Sequence, residues 1–174
     1  MPLSLHDAII PNWLQQLQAT ERLLARAREW AEEQGIGERE LLTARLAEDM
    51  LPLAYQLKSC REHSAGAIAK CREGVFSPAM DPPPLTYAEL GARLAEAIAA
   101  LEALDPAELE DMAPRDMAFV MGDLRLEFTV QDFLLSFSTP NLYFHAATAY
   151  DILRMKGMPI GKRDFMGRLR IRRG

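Results

Sequence analysis

Apolar positions recur at helical spacing over most of this chain. Ile10, Trp13, Leu17, Leu24 and Ala31 share one face of a segment from about Ser4 to Gln34, with charged residues elsewhere. The pattern predicts a long first helix, kinked or effectively started at Pro11 and stopped by Gly35-Ile-Gly37. Residues 38–46 predict a short connecting helix. A second long helix is expected from Glu48 to Arg72, with a core stripe of Met50, Leu53, Leu57, Cys60, Ser64, Ala67 and Cys71. Pro52 falls near its first turn and Gly74 at its stop. The proline-stiffened run 77–85 is a connection. Thr86 with Glu89 predicts the capping box of a third helix that turns Leu90, Leu94, Ile98 and Leu101 inward and ends at Asp105-Pro106. The pattern then changes. Over 116–128 apolar residues alternate around Gly122-Asp123, which predicts a β-hairpin. Thr129 predicts the cap of a fourth helix from Val130 to Lys156, kinked at Pro140 and closed by Gly157. Four long amphipathic helices with a small hairpin insert before the last predict an all-α four-helix bundle. It occupies residues 1–167, followed by a basic tail at 168–174.

Composition narrows the class without naming a reaction. The 174 residues fit one domain, and 49% hydrophobic with 26% charged residues is ordinary for a globular protein. No apolar run reaches the roughly 18 to 20 residues that span a bilayer, so no membrane association is expected. The opening MPLSLHDAIIPNW lacks the pattern of a signal peptide, which predicts a cytoplasmic protein. The net charge of -5 argues against nucleic acid as a partner, although the tail from Arg168 to Arg173 has the charge to meet an acidic surface. Cys60 and Cys71 fall about 16 Å apart along one predicted helix, too far for a disulfide, and read as buried thiols.

The candidate chemistry gathers on two helix faces. On a helical wheel, Leu134, Ser138, Asn141, Leu142, Ala149 and Ile152 fall within about 60° of His145, so His145 is expected on an apolar, inward face. A buried imidazole needs hydrogen-bond partners, and Asn141 or Thr148 stands near enough to supply one. On the second predicted helix, Asp49, Gln56 and His63 recur every seven residues beside the core stripe. If that edge faces the fourth helix, Asp49, Gln56 and His145 share one pocket. The same residues also read as a satisfied core histidine with partly solvated neighbours. Zinc needs three or four ligands, and a pair of histidines four residues apart would signal it strongly. Ala149 stands four residues after His145, and there is no HExxH, CxxC pair or glycine-rich nucleotide loop.

Three blocks carry a resemblance: SLHDAIIPNWLQQL near the start, LLTARLAEDMLPLAYQL at 41–57 and TPNLYFHAATAYDILRMKGMPIGKRDFMG at 139–167. Together they resemble a bacterial family of unknown function beside the DinB/YfiT-like bundles, over nearly the whole chain. The resemblance implies an up-down-down-up bundle that often dimerises. It also implies a divalent metal, zinc or nickel, held by a helix-two histidine and a His-x3-His pair on the fourth helix, with thiol-cofactor-dependent transferases or isomerases among the relatives. Only His145 matches that pair. Ala149 replaces its second member and Gln56 stands near the helix-two histidine, so the metal triad is incomplete. The Gly161-Lys-Arg-Asp-Phe165 turn either caps the bundle by ion pairing or clamps an anion.

Three functions therefore compete. The first is a homodimeric bundle that binds a small ligand in an inter-helix pocket around Asp49, Gln56, Asn141, His145 and Thr148. The second is a metal-dependent transferase or hydrolase with an altered shell of His145, Gln56 and Asp49. The third is a non-catalytic dimeric interaction module.

Overall fold

The computed structural model describes residues 3–172. Helix α1, Leu5–Gln34, begins at Ser4, whose hydroxyl accepts from the Asp7 amide at 3.0 Å. It runs through Pro11 as one helix, burying Ile10, Trp13, Leu17, Leu24 and Ala31. A short α2, Glu38–Leu42, follows.

The second long helix starts later than its hydrophobic pattern suggests. Pro52 is the N-cap of α3, which runs as Leu53–Arg61, a π-helical turn Glu62–Gly66, and Ala67–Glu73. The residue before a proline is disfavoured in helical geometry, so 48–51 cannot extend the helix backwards. Asp49 consequently sits in an exposed turn, and Met50 lies outside the core. The rest of the stripe, from Leu53 to Cys71, is buried. Lys58 is buried on α3 and pins the proline-rich connection: its Nζ donates to the carbonyls of Ala79 at 2.8 Å and Asp81 at 2.6 Å.

Helix α4, Tyr87–Glu102, is capped by Thr86, and the Thr86 hydroxyl also donates to the Glu89 carboxylate at 2.9 Å. Leu90, Leu94, Ile98 and Leu101 are buried as expected. Asp105 and Pro106 open a further short helix, α5, Pro106–Met112. The hairpin is present as β2, Asp116–Met121, and β3, Leu124–Thr129. Gly122 has φ +58° at the first turn position, where a two-residue hairpin favours glycine. A strand not evident from the pattern, β1, Val75–Phe76, pairs parallel with β2 and makes a three-stranded sheet. Two residues are too few to display a period.

The last long helix, α6, also carries a π-helical turn. It runs as Val130–Asp132, Phe133–Ser138 and Thr139–Met155. Thr129 caps it by accepting from the Asp132 amide at 3.1 Å. The irregular backbone falls just before Pro140, whose missing N–H disturbs the ladder there. Side chains also bond carbonyls of this turn: Thr139 donates to Leu134 at 2.8 Å and Asn141 to Phe137 at 2.8 Å. The Trp13 indole donates to the Thr139 hydroxyl at 3.1 Å and ties α1 to this point. Helix α1 packs on α4 and α6, and α3 packs on α4 and α6. A final short helix, α7, Lys162–Met166, docks on α1, with Asp164 paired to Arg26 and the Gln15 amide donating to the Met166 carbonyl at 2.9 Å. Among the described residues, no helix is long and apolar enough to cross a membrane.

Candidate functional site

Helices α3 and α6 bring Gln56 and His145 together. Because α3 starts only at Leu53, the Leu51 carbonyl is outside the helix, and the Gln56 amide nitrogen donates to it at 2.8 Å. A carbonyl only accepts, so this bond fixes the amide's orientation. The Gln56 oxygen therefore points to His145, with Oε1 2.7 Å from Nδ1. An amide oxygen also only accepts, so His145 carries its proton on Nδ1. Its Nε2 presents a lone pair and meets no protein hydrogen-bond partner among the described residues.

Burial keeps this ring neutral. Desolvation pushes His145 down to about 4, although the ring is not sealed from solvent. His63, from the π turn of α3, stacks on it with ring centroids 5.6 Å apart and planes 14° from parallel. Desolvation first, and His145 second, push His63 down to about 3. Its Nδ1 is buried without a partner. Aromatic rings complete the surroundings. Phe76 of β1 stacks on His63 at 5.3 Å, and Phe137, from the π turn of α6, lies 5.8 Å from it. Tyr55 and Phe144 meet His145 edge-on at 6.3 and 5.3 Å. The two π turns thus meet through His63 and Phe137, and the short edge strand β1 supplies Phe76.

Of the residues expected at this site, only Gln56 and His145 bond to each other. Asn141 turns to the Phe137 carbonyl, and Thr148 donates to the Phe144 carbonyl at 2.8 Å, so neither serves His145. Each satisfies its own helix, as short polar side chains often do. Asp49 lies on its exposed turn, away from the face that carries Gln56. His63 shares a helix edge with Gln56 in the sequence pattern but is not among the pocket residues that pattern points to. Its seven-residue spacing from Gln56 was the available signal, but nothing in the sequence reveals the π turn or the ring stack. The surface concavities are lined by other residues, and His145 is half-buried beside the half-exposed Phe144.

These residues do not fit a three-histidine metal centre. Ala149 has no donor, and both ends of the Gln56 amide are already used by Leu51 and His145. Among the described residues, no group of three or more His, Cys, Asp or Glu side chains is placed to hold a metal ion. Cys60 and Cys71 are free and buried, and desolvation pushes both thiols up to about 12, which keeps them protonated and poorly nucleophilic.

The family model described as a domain of unknown function, DUF1993, matches residues 5–166. A crystal structure of a DinB family member protein from Shewanella denitrificans is similar throughout. It is 26% identical, has a TM-score of 0.82, and the match covers 98% of this chain and 96% of that one. No curated protein matches the chain.

Proposed function

This chain belongs to the DUF1993 family, and from that membership we propose that it is a small-ligand-binding member of the DinB-like fold, with four long helices in an up-down-down-up bundle and no three-histidine metal centre. The ligand would lie on the seam between α3 and α6. His145 Nε2 accepts a hydrogen bond from it, while Tyr55, Phe144 and the His63 ring offer an aromatic bed. The observation that carries this reading is the 2.7 Å contact between Gln56 Oε1 and His145 Nδ1, because it aims an unprotonated Nε2 outward from a desolvated ring. A neutral acceptor with aromatic walls suits an uncharged molecule with a hydroxyl or N–H donor and an apolar body. It does not suit an anion, since both imidazoles resist protonation.

Phenol has the required chemistry in its smallest form. Titrated into the protein at pH 7, it is expected to give saturable shifts at the His145 ring and at Phe144, abolished in His145→Phe. Absence of saturable binding in the wild type would remove the ligand reading. Metal analysis of protein prepared without a histidine tag tests the other half: stoichiometric zinc or nickel lost in His145→Ala would overturn the proposed lack of a metal centre. We infer from the family resemblance that the protein is a homodimer, which sedimentation would check, and we propose a cytoplasmic location, which fractionation would check.

A further inference from the structure

The return after α6 folds onto α1 and gathers arginines. Arg22 and Arg26 project from α1, Arg163 from α7, and Arg168 from the segment beyond it, and all four line one cleft of about 380 Å³ with Leu23, Asp164 and Gly167. Asp164 is the single carboxylate there. It is occupied twice, by pairing with Arg26 and by accepting from the Gly161 amide at 2.7 Å. Arg26 also reaches the Pro159 carbonyl at 3.5 Å. Arg22, Arg163 and Arg168 have no carboxylate partner among the described residues. The cleft therefore concentrates a net three positive charges in a chain whose overall charge is -5.

Its shape depends on Gly167. With φ +65° and ψ -146°, this residue occupies backbone space that side chains avoid. A Cβ there would lie 2.7 Å from the Arg22 guanidinium and 2.9 Å from the Ala19 methyl. The missing side chain lets Gly167 pass directly over Arg22, and Arg168 follows it into the same cleft. Like charges that line one cleft repel one another, and that repulsion is relieved by an anion held between them. Arginine is the residue best matched to phosphate, because its planar fork donates two parallel hydrogen bonds to two oxygens of one group.

We propose that this cleft is a binding site for a small phosphorylated molecule, with Arg22, Arg163 and Arg168 contacting the phosphoryl oxygens and the Arg26–Asp164 pair holding α7 in place. Asp164 itself faces any anion with like charge, so the contacts come from the three arginines whose charge it does not neutralise. The site shares no residue with the His145 seam, and the proposal stands independently of the function assigned there.

Titration calorimetry with inorganic pyrophosphate at low ionic strength tests it on the full chain. Pyrophosphate is expected to bind at least about tenfold more tightly than sulfate, and the Arg163→Gln/Arg168→Gln double variant to weaken it about tenfold. Neither arginine has a side-chain partner whose loss would disturb the fold, and circular dichroism checks that the helices remain. If the double variant does lose helicity, Arg163→Gln alone is read in the same assay and is expected to weaken binding severalfold. Arg125→Gln on β3 is expected to leave binding unchanged. No detectable pyrophosphate binding, equal binding of sulfate, or unchanged affinity in the variants would overturn the proposal. So would binding to phosphatidylglycerol vesicles with none to pyrophosphate, because it would assign the cleft to a lipid surface.

Discussion

Acid should weaken this protein well before its carboxylates titrate, and the stacked histidines set the size of the effect. In the unfolded chain His63 and His145 take up protons near the ordinary value of 6.5, whereas the folded values are about 3 and about 4. The folded state binds fewer protons, so stability falls as pH drops through 6.5, and the loss saturates only below the folded values. At pH 5 the unfolded histidines are about 1.5 units past their midpoint, and at 1.36 kcal/mol per unit each contributes a loss of about 2 kcal/mol. Residual solvent contact at His145 lowers that, so about 2 to 4 kcal/mol for the pair is expected between pH 7 and pH 5. Urea unfolding at the two pH values measures it. His63→Phe keeps a flat ring against Phe76 and removes the titration, so it should lose roughly half of the pH dependence. It also removes the orphaned Nδ1, whose burial costs on the order of 1 kcal/mol or more, and should be no less stable than the wild type at pH 7. Equal losses of stability in His63→Phe and the wild type between pH 7 and pH 5 would refute this linkage.

Gln56→Leu strands two part-buried partners, the Leu51 carbonyl and the His145 Nδ1–H. It should cost about 2 to 4 kcal/mol in urea unfolding, against less than about 1 for an exposed glutamine such as Gln34. Gly167→Ala places a Cβ into Ala19 and Arg22 at a positive φ. A loss of about 1 to 3 kcal/mol is expected, with proteolysis opening the chain near 161–168, and an unchanged melting temperature would contradict the close approach. Lys58→Met removes the two hydrogen bonds that hold the Ala79 and Asp81 carbonyls. Limited proteolysis should then cut within 77–85 at least several times faster, while α3 itself stays folded because methionine fills the same buried channel.

The helices were legible because burial enforces period. Trp13, Leu17, Leu57, Leu94 and Leu142 sit where their spacing puts them, and Thr86 and Thr129 cap the helices they precede. The hairpin was legible from alternation and Gly122. What escaped is whatever tertiary geometry decides. A pattern counts Met50 with Leu53, but Pro52 denies helical geometry to the residue before it and leaves Asp49 in an exposed turn. The π turns at Glu62–Gly66 and Phe133–Ser138 each shift a helix by a fraction of a turn, and no spacing rule announces them. His145 was rightly expected to turn inward from the wheel. Its partner was harder to foresee, since Asn141 and Thr148 are nearer in sequence but each bonds the carbonyl one turn back in its own helix, Phe137 and Phe144. His63 lies 82 positions before His145, and only the packing of α3 on α6 makes them neighbours.

The central claim is that Gln56 holds His145 as a neutral, Nδ1-protonated ring with Nε2 open to a ligand. Nitrogen-15 imidazole spectra of the tag-free protein at pH 7 test it most directly. The account predicts a pyrrole-type Nδ1 and a pyridine-type Nε2 at His145, unchanged down to about pH 5. An imidazolium at pH 7, or a proton on Nε2 in place of Nδ1, would contradict it.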